Sequence, residues 1–186
     1  MKPQLGDTIL NRYTLVSSLR EEPGIQAWKA NDRVLAKDCQ LFIITNRSAF
    51  AAIDELAGRM AATRPDRVIP VLKYRMESDV LLIVMPVDSG QCLTDYMVDT
   101  AKPLSYSAIR SIIGECANVL REVIADTPSG IVITTDTVRV TTSGVQIADA
   151  PCATMLADTS ATDLRTDGPE RYAIRQLAAL LYTLLT

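Results

Sequence analysis

The spacing of apolar residues changes once along this chain, and that change limits the folds open to it. Up to about residue 86 the apolar residues fall in short, strand-like runs at Arg12–Leu19, Gln26–Ala30, Cys39–Thr45, Val68–Met76 and Val80–Met85. One stretch in that half departs from the pattern. Between Ser48 and Ala62, the residues Ile53, Leu56, Ala57 and Met60 recur at helical spacing, and Ser48 is placed to cap the helix. Beyond Pro86–Gly90, a connector, the spacing turns helical. Cys92–Val98 is a short helix, and Ser105–Ile124 sets Ile109, Ile112, Ile113, Cys116, Val119, Leu120 and Val123 on one side behind a Ser105 cap. The expectation is an α+β chain, with a sheet-bearing part over 1–87 and a mainly helical part over 88–186.

Within the second part, Thr137–Thr141 and Val145–Ala148 alternate β-branched with polar residues across Thr142-Ser143-Gly144 and read as a hairpin. Residues 151–168 carry Thr154, Thr159, Thr162 and Thr166 among aspartates without periodicity, which reads as a surface loop. Pro169 then opens a last helix whose leucines cover most of its circumference.

Composition removes several functions. The chain has 186 residues, 48% hydrophobic and 22% charged, the balance of an ordinary globular fold. Its formal net charge is -3 and no Lys/Arg block occurs, so nucleic acid is not an expected partner. The apolar runs Val80–Val87 and Ala178–Leu185 fall far short of the roughly 20 residues of a membrane helix. The polar opening Met1-Lys2-Pro3-Gln4 does not resemble a signal peptide, so a cytoplasmic location is expected, with a membrane reached only through a longer parent chain. Histidine is absent, which removes Ser-His-Asp and Cys-His nucleophiles and any histidine base. The four cysteines, at 39, 92, 116 and 152, have no metal-ligand spacing and read as reduced, mostly buried thiols; no metal or cofactor is expected.

Several strings resemble bacterial Ser/Thr protein kinases, and they occur in the kinase order. Ile9-Leu10-Asn11-Arg12-Tyr13-Thr14-Leu15 resembles the opening strand and Ala27-Trp28-Lys29-Ala30-Asn31-Asp32 the second. Val84-Met85-Pro86 resembles the run into the hinge, and Asp88-Ser89-Gly90-Gln91-Cys92-Leu93 the opening of the large lobe. Gly144-Val145-Gln146-Ile147-Ala148-Asp149 is similar to the strand ending at the metal-binding aspartate, and Leu181-Tyr182-Thr183-Leu184-Leu185-Thr186 to the central helix of that lobe. The resemblance implies a two-lobe kinase-like fold with an abbreviated, helical C-lobe.

The catalytic set is eroded where the resemblance places it. Phosphoryl transfer needs a glycine-rich cradle, a lysine on the third strand paired with a helix glutamate, a catalytic aspartate and metal ligands. In place of the cradle stands Ser17–Gly24, with Gly24 its single glycine and Glu21 and Glu22 repelling phosphate. In Cys39-Gln40-Leu41-Phe42, Phe42 takes the lysine position and Gln40 that of the small residue beside adenine. Glu55 is left as the would-be partner of a missing lysine and reads as a solvated helix residue. Apolar Ile131-Val132-Ile133 replaces the His-Arg-Asp triplet, and the nearby Asp136 reads as a turn residue. Asp149 survives at the metal position but is followed by Ala150-Pro151 instead of Phe-Gly.

The implied protein is a pseudokinase that binds partners. It most resembles the pseudokinase linked to the lipid II flippase of actinobacteria, which implies a role in peptidoglycan precursor export. The partners implied are a Ser/Thr kinase that phosphorylates the chain and a forkhead-associated-domain protein that reads the phosphothreonine. Thr159 and Thr162 rank ahead of Thr154 and Thr166 as acceptors, being farthest from the flanking elements. Leu180, Leu181, Tyr182 and Leu184 form a candidate dimer or partner surface on the last helix. A nucleotide-gated switch or weak atypical kinase using Asp136 and Asp149 is the alternative.

Overall fold

A computed structural model describes residues 2–77, 79–88, 90–99, 103–124, 131–156 and 168–186. The chain is mixed α and β and divides into two compact units, residues 1–62 with 70–87, and residues 63–69 with 88–186.

The first unit is built on an antiparallel sheet. Its strands are β1 (Thr8–Ile9), β2 (Tyr13–Glu22), β3 (Ile25–Asp32), β4 (Lys37–Ile44), β5 (Lys73–Glu77) and β6 (Val80–Pro86), arranged β1-β2-β3-β4-β6-β5. The long central strand β4 pairs Leu41 with Trp28 on one side and Val84 on the other, and Phe42 with Ala27 and Ile83. Opposite residues in antiparallel strands share a face, so the odd positions Cys39, Leu41 and Ile43 join Tyr13, Leu15, Trp28, Ala30, Leu82 and Val84 in one core. The even positions Gln40, Phe42 and Ile44 lie on the other face with Ala27, Leu81, Ile83 and Met85, all of them buried. With both faces of β4 covered, it reads as a nearly continuous apolar run.

Helix α1 (Phe50–Thr63) buries Phe50, Ile53, Leu56, Ala57 and Met60, the face set by their spacing. A methyl group on Gly58 would lie 3.1 Å from the Tyr74 hydroxyl of β5, so the absence of a side chain there lets helix and strand meet closely. Ser48 does not cap this helix. Instead Asn46 caps a 3-10 turn at Arg47–Ala49 that leads into α1, its side chain accepting from the Ser48 N–H at 3.2 Å.

The expected strand over Val68–Met76 is split. Proline cannot supply a ladder N–H, and Pro70 marks the break. Before it, the Ile69 N–H donates to Ile147 C=O at 2.9 Å and the Ile147 N–H to Arg67 C=O at 2.8 Å, within the second unit. Only Lys73–Glu77 enters the large sheet.

The second unit contains a small sheet of β7 (Gln91–Cys92), β8 (Val138–Thr141) and β9 (Gly144–Ile147), with helices α2 (Leu93–Asp99), α3 (Tyr106–Val123), α4 (Ala153–Leu156) and α5 (Pro169–Leu185). The Ser105 side chain caps α3 by accepting from the Ala108 N–H at 3.2 Å. β8 and β9 turn at Thr142-Ser143, and Gly144 takes φ +125, a value that side-chain-bearing residues rarely adopt. The Glu115 carboxylate of α3 accepts from the Val145 N–H at 2.8 Å and pairs with Arg67 at 2.5 Å, packing the hairpin against α3 where a side chain at Gly144 would not fit.

Candidate functional site

In the first unit, the β2–β3 hairpin leaves no loop wide enough to cradle phosphate. Glu22 pairs directly with Ile25, so only Pro23-Gly24 makes the turn, with Gly24 at φ +82. Proline followed by a positive-φ glycine suits a tight type II turn. Gly24 has a packing reason as well. Its C=O accepts from Thr45 at 2.8 Å and Asn46 at 3.2 Å, and a Cβ there would lie 2.7 Å from that of Asn46.

Gln40 and Phe42 lie on one face of β4, two residues apart, with Gln40 opposite Met85 and Phe42 opposite Ile83. Phe42 has no solvent exposure and Gln40 has 8%. Phe42 is therefore a ring enclosed in apolar side chains, with no opening to solvent. Glu55 is exposed on α1 and pairs with Arg59 one turn on, at 2.5 Å. This is an ordinary solvated helix pair, contributing a few tenths of a kcal/mol.

In the second unit, Asp136 is exposed at a turn closed by Thr137 N–H to Thr134 C=O at 3.2 Å. Its carboxylate accepts from the Thr94 hydroxyl at 2.8 Å, and its backbone C=O accepts from Arg139. Arg139 also pairs with Asp88 at 2.6 Å, which ties β8 to the chain just before β7. Asp149 is buried, at 6% exposure, with φ 64, just after β9; its C=O accepts from the Cys152 N–H at 2.6 Å. No group of three or more histidine, cysteine, aspartate or glutamate residues suited to a metal ion occurs among the described residues.

The apolar segment Ile131-Val132-Ile133 is buried and held by a residue that sequence reasoning missed. Gln176 of α5 accepts from the Ile133 N–H at 2.5 Å and donates to the Ile131 C=O at 3.4 Å. The available signal was its position on the buried stripe Tyr172, Ala173, Leu180 and Leu184, where a polar side chain needs partners. A second missed pair is Arg12 and Asp32. The guanidinium forks onto both carboxylate oxygens, at 2.9 and 2.6 Å, and Asp32 also accepts from the Val34 and Leu35 N–H groups. The Arg12 hydrogen bond holds the Asp32 carboxyl down at about 2.

The candidate interface on α5 divides in two. Leu180 and Leu184 face inward, at 2% and 6% exposure, and are corrected to core residues; burial against the rest of the unit removes them from any outer surface. Leu181 and Tyr182 are exposed, and Ile174 and Leu185 are exposed with them. Thr154 lies in α4 rather than in an irregular loop, because helix begins at Ala153. Thr159, Thr162 and Thr166 lie outside the described residues.

No protein-family model matches the chain, and no curated protein matches it. No helix among the described residues is long and apolar enough to cross a membrane.

Proposed function

We propose that this chain is a catalytically inactive, protein-kinase-like domain that acts as a protein-interaction module. The observation that carries the reading is Phe42. It lies on the third long strand, directly before α1, where a kinase places its phosphate-binding lysine, and it is fully buried with Ala27 and Ile83 beside it. The two-residue Pro23-Gly24 turn and the apolar Ile131-Val132-Ile133 segment support the same reading, since neither can position or neutralise a transferring phosphate. The sheet with one helix, followed by a mainly helical unit, fits a two-lobe kinase-like fold with an abbreviated C-lobe.

Its regulation, in this proposal, runs through phosphorylation of a threonine in 151–168 by a Ser/Thr kinase and capture by a forkhead-associated-domain protein, at the cytoplasmic face of a cell-wall precursor export system. Phosphate adds nearly two negative charges and acceptor oxygens that an arginine pocket can clamp.

Two measurements test it. ATP with magnesium or manganese should leave the melting temperature unchanged, because only a ligand that binds the folded state stabilises it. A clear shift would favour the nucleotide switch using Asp136 and Asp149. Kinase-treated protein should carry phosphothreonine at Thr154, Thr159, Thr162 or Thr166 and retain a forkhead-associated domain in a pull-down. Phosphate found only elsewhere, or equal capture of the untreated protein, would remove the phosphorylation-dependent part.

A further inference from the structure

On the sheet face carrying Tyr13, Cys39 and Val84, the β3–β4 turn and the start of β5 border a cavity of about 470 Å3. That size lies within the range of ligand pockets. Tyr13, Cys39, Val84 and Pro86 form its apolar lining, while Leu35 and Leu72, each 60% exposed, stand beside them with their side chains largely in water.

The charges around this cavity are not balanced. Arg12 and Asp32 neutralise one another through their forked pair. Asp38 is held by Lys29 at 2.9 Å and by the Asn31 side chain at 3.2 Å. Lys37 and Lys73 remain, both exposed, and among the described residues neither has a carboxylate partner. An apolar hollow with two exposed leucines thus has unspent charge of one sign only, although the chain as a whole is acidic at -3. Such an arrangement selects an anionic partner with an apolar anchor, and it disfavours a second copy of a net acidic chain.

We propose that this cavity docks an acidic peptide segment of a partner protein, with an apolar side chain seated between Leu35 and Leu72 and flanking carboxylates over Lys37 and Lys73. The surface lies wholly within the first unit, so the inference stands whether or not the chain is kinase-like. Its energetic centre is the apolar anchor, and the lysines set register and association rate.

The test is fluorescence anisotropy with a labelled octapeptide that has leucine and phenylalanine at its centre and aspartate or glutamate on both sides. Saturable binding that weakens with salt is expected. Lys37→Glu with Lys73→Glu should weaken it about tenfold, as reversal of two rim charges implies. Leu72→Asp should weaken it as well. All three side chains are exposed, so the variants should keep the wild-type melting temperature, which is checked alongside. Amide chemical shifts in the wild type should move at Lys37, Cys39, Lys73 and Val84. Absence of saturable binding, equal binding of an octapeptide with glycine at the two apolar positions, or undiminished binding by the double lysine variant would overturn the proposal. So would self-association of the free protein that Leu72→Asp abolishes, because the occupant would then be a second copy.

Discussion

The side-chain oxygen of Gln176 lies 2.5 Å from the backbone nitrogen of Ile133, so one buried glutamine of α5 satisfies the chain just before β8. The same amide donates to Ile131, and the three residues of that segment are almost fully enclosed. Backbone groups buried this deeply cost far more unsatisfied than their bonds gain when made. Gln176→Leu keeps the volume but removes both partners. It should lower stability by about 2 kcal/mol, read as a lower urea midpoint with an unchanged slope. A midpoint within error of wild type would show that the segment finds its partners elsewhere.

The Arg12–Asp32 pair gives the first unit a pH signature. The Asp32 carboxyl falls from 3.8 to about 2 in the folded chain, chiefly through the Arg12 hydrogen bond. A depressed carboxyl stabilises the fold fully above its unfolded value and loses that contribution as pH falls through the folded value. Urea midpoints of wild type and Asp32→Asn should therefore differ by a constant amount above about pH 5 and converge as pH approaches 2. A difference that does not change with pH across that window would mean that the carboxylate charge is not what the pair contributes.

Much of the helical structure could be read from spacing alone. In α1 and α3 every buried residue falls on one face, and Ser105 caps where an N-cap residue was needed. The run Val68–Met76 misled because short apolar stretches do not reveal their pairing partner. Val68 bridges to Ile147, far along the chain, and Pro70 separates it from the strand that follows. The leucines of α5 looked alike in sequence, yet Leu180 and Leu184 are core and Leu181 is partly exposed, a division set by what packs against the helix. Of the candidate site, the apolar character of Phe42 was legible from residue type. The pairing of Arg12 with Asp32 was not, since it joins residues 20 apart through the fold of one sheet.

Phe42 also provides a direct check on the inactive, kinase-like reading proposed above. Phe42→Lys would put an ammonium group in a position with no exposure, among apolar neighbours on both flanking strands. Desolvation there opposes the charged form by several pKa units, so the variant should lose on the order of 3 kcal/mol and gain no thermal shift with ATP and magnesium. Phe42→Leu, which keeps the site apolar, should lose about 1 kcal/mol. If the lysine variant melted near wild type and were stabilised by ATP, the face would be an open pocket and the inactive reading would fail.

Thiol chemistry separates the four cysteines, all of which are free. Burial raises the Cys39 thiol to about 11 and the Cys116 thiol to about 12, and it lifts that of Cys152 well above its ordinary value. Only the thiolate attacks an alkylating reagent, so these three are shielded both by packing and by lack of ionisation. Cys92 is partly exposed, with its sulfur donating to the Thr135 C=O at 3.3 Å. Native protein treated with iodoacetamide at pH 8 should gain a single adduct, mapped by peptide mass spectrometry to Cys92, and four once it is unfolded in urea. An adduct on Cys152 in the native state would mean that the chain following Asp149 opens far more readily than its burial implies.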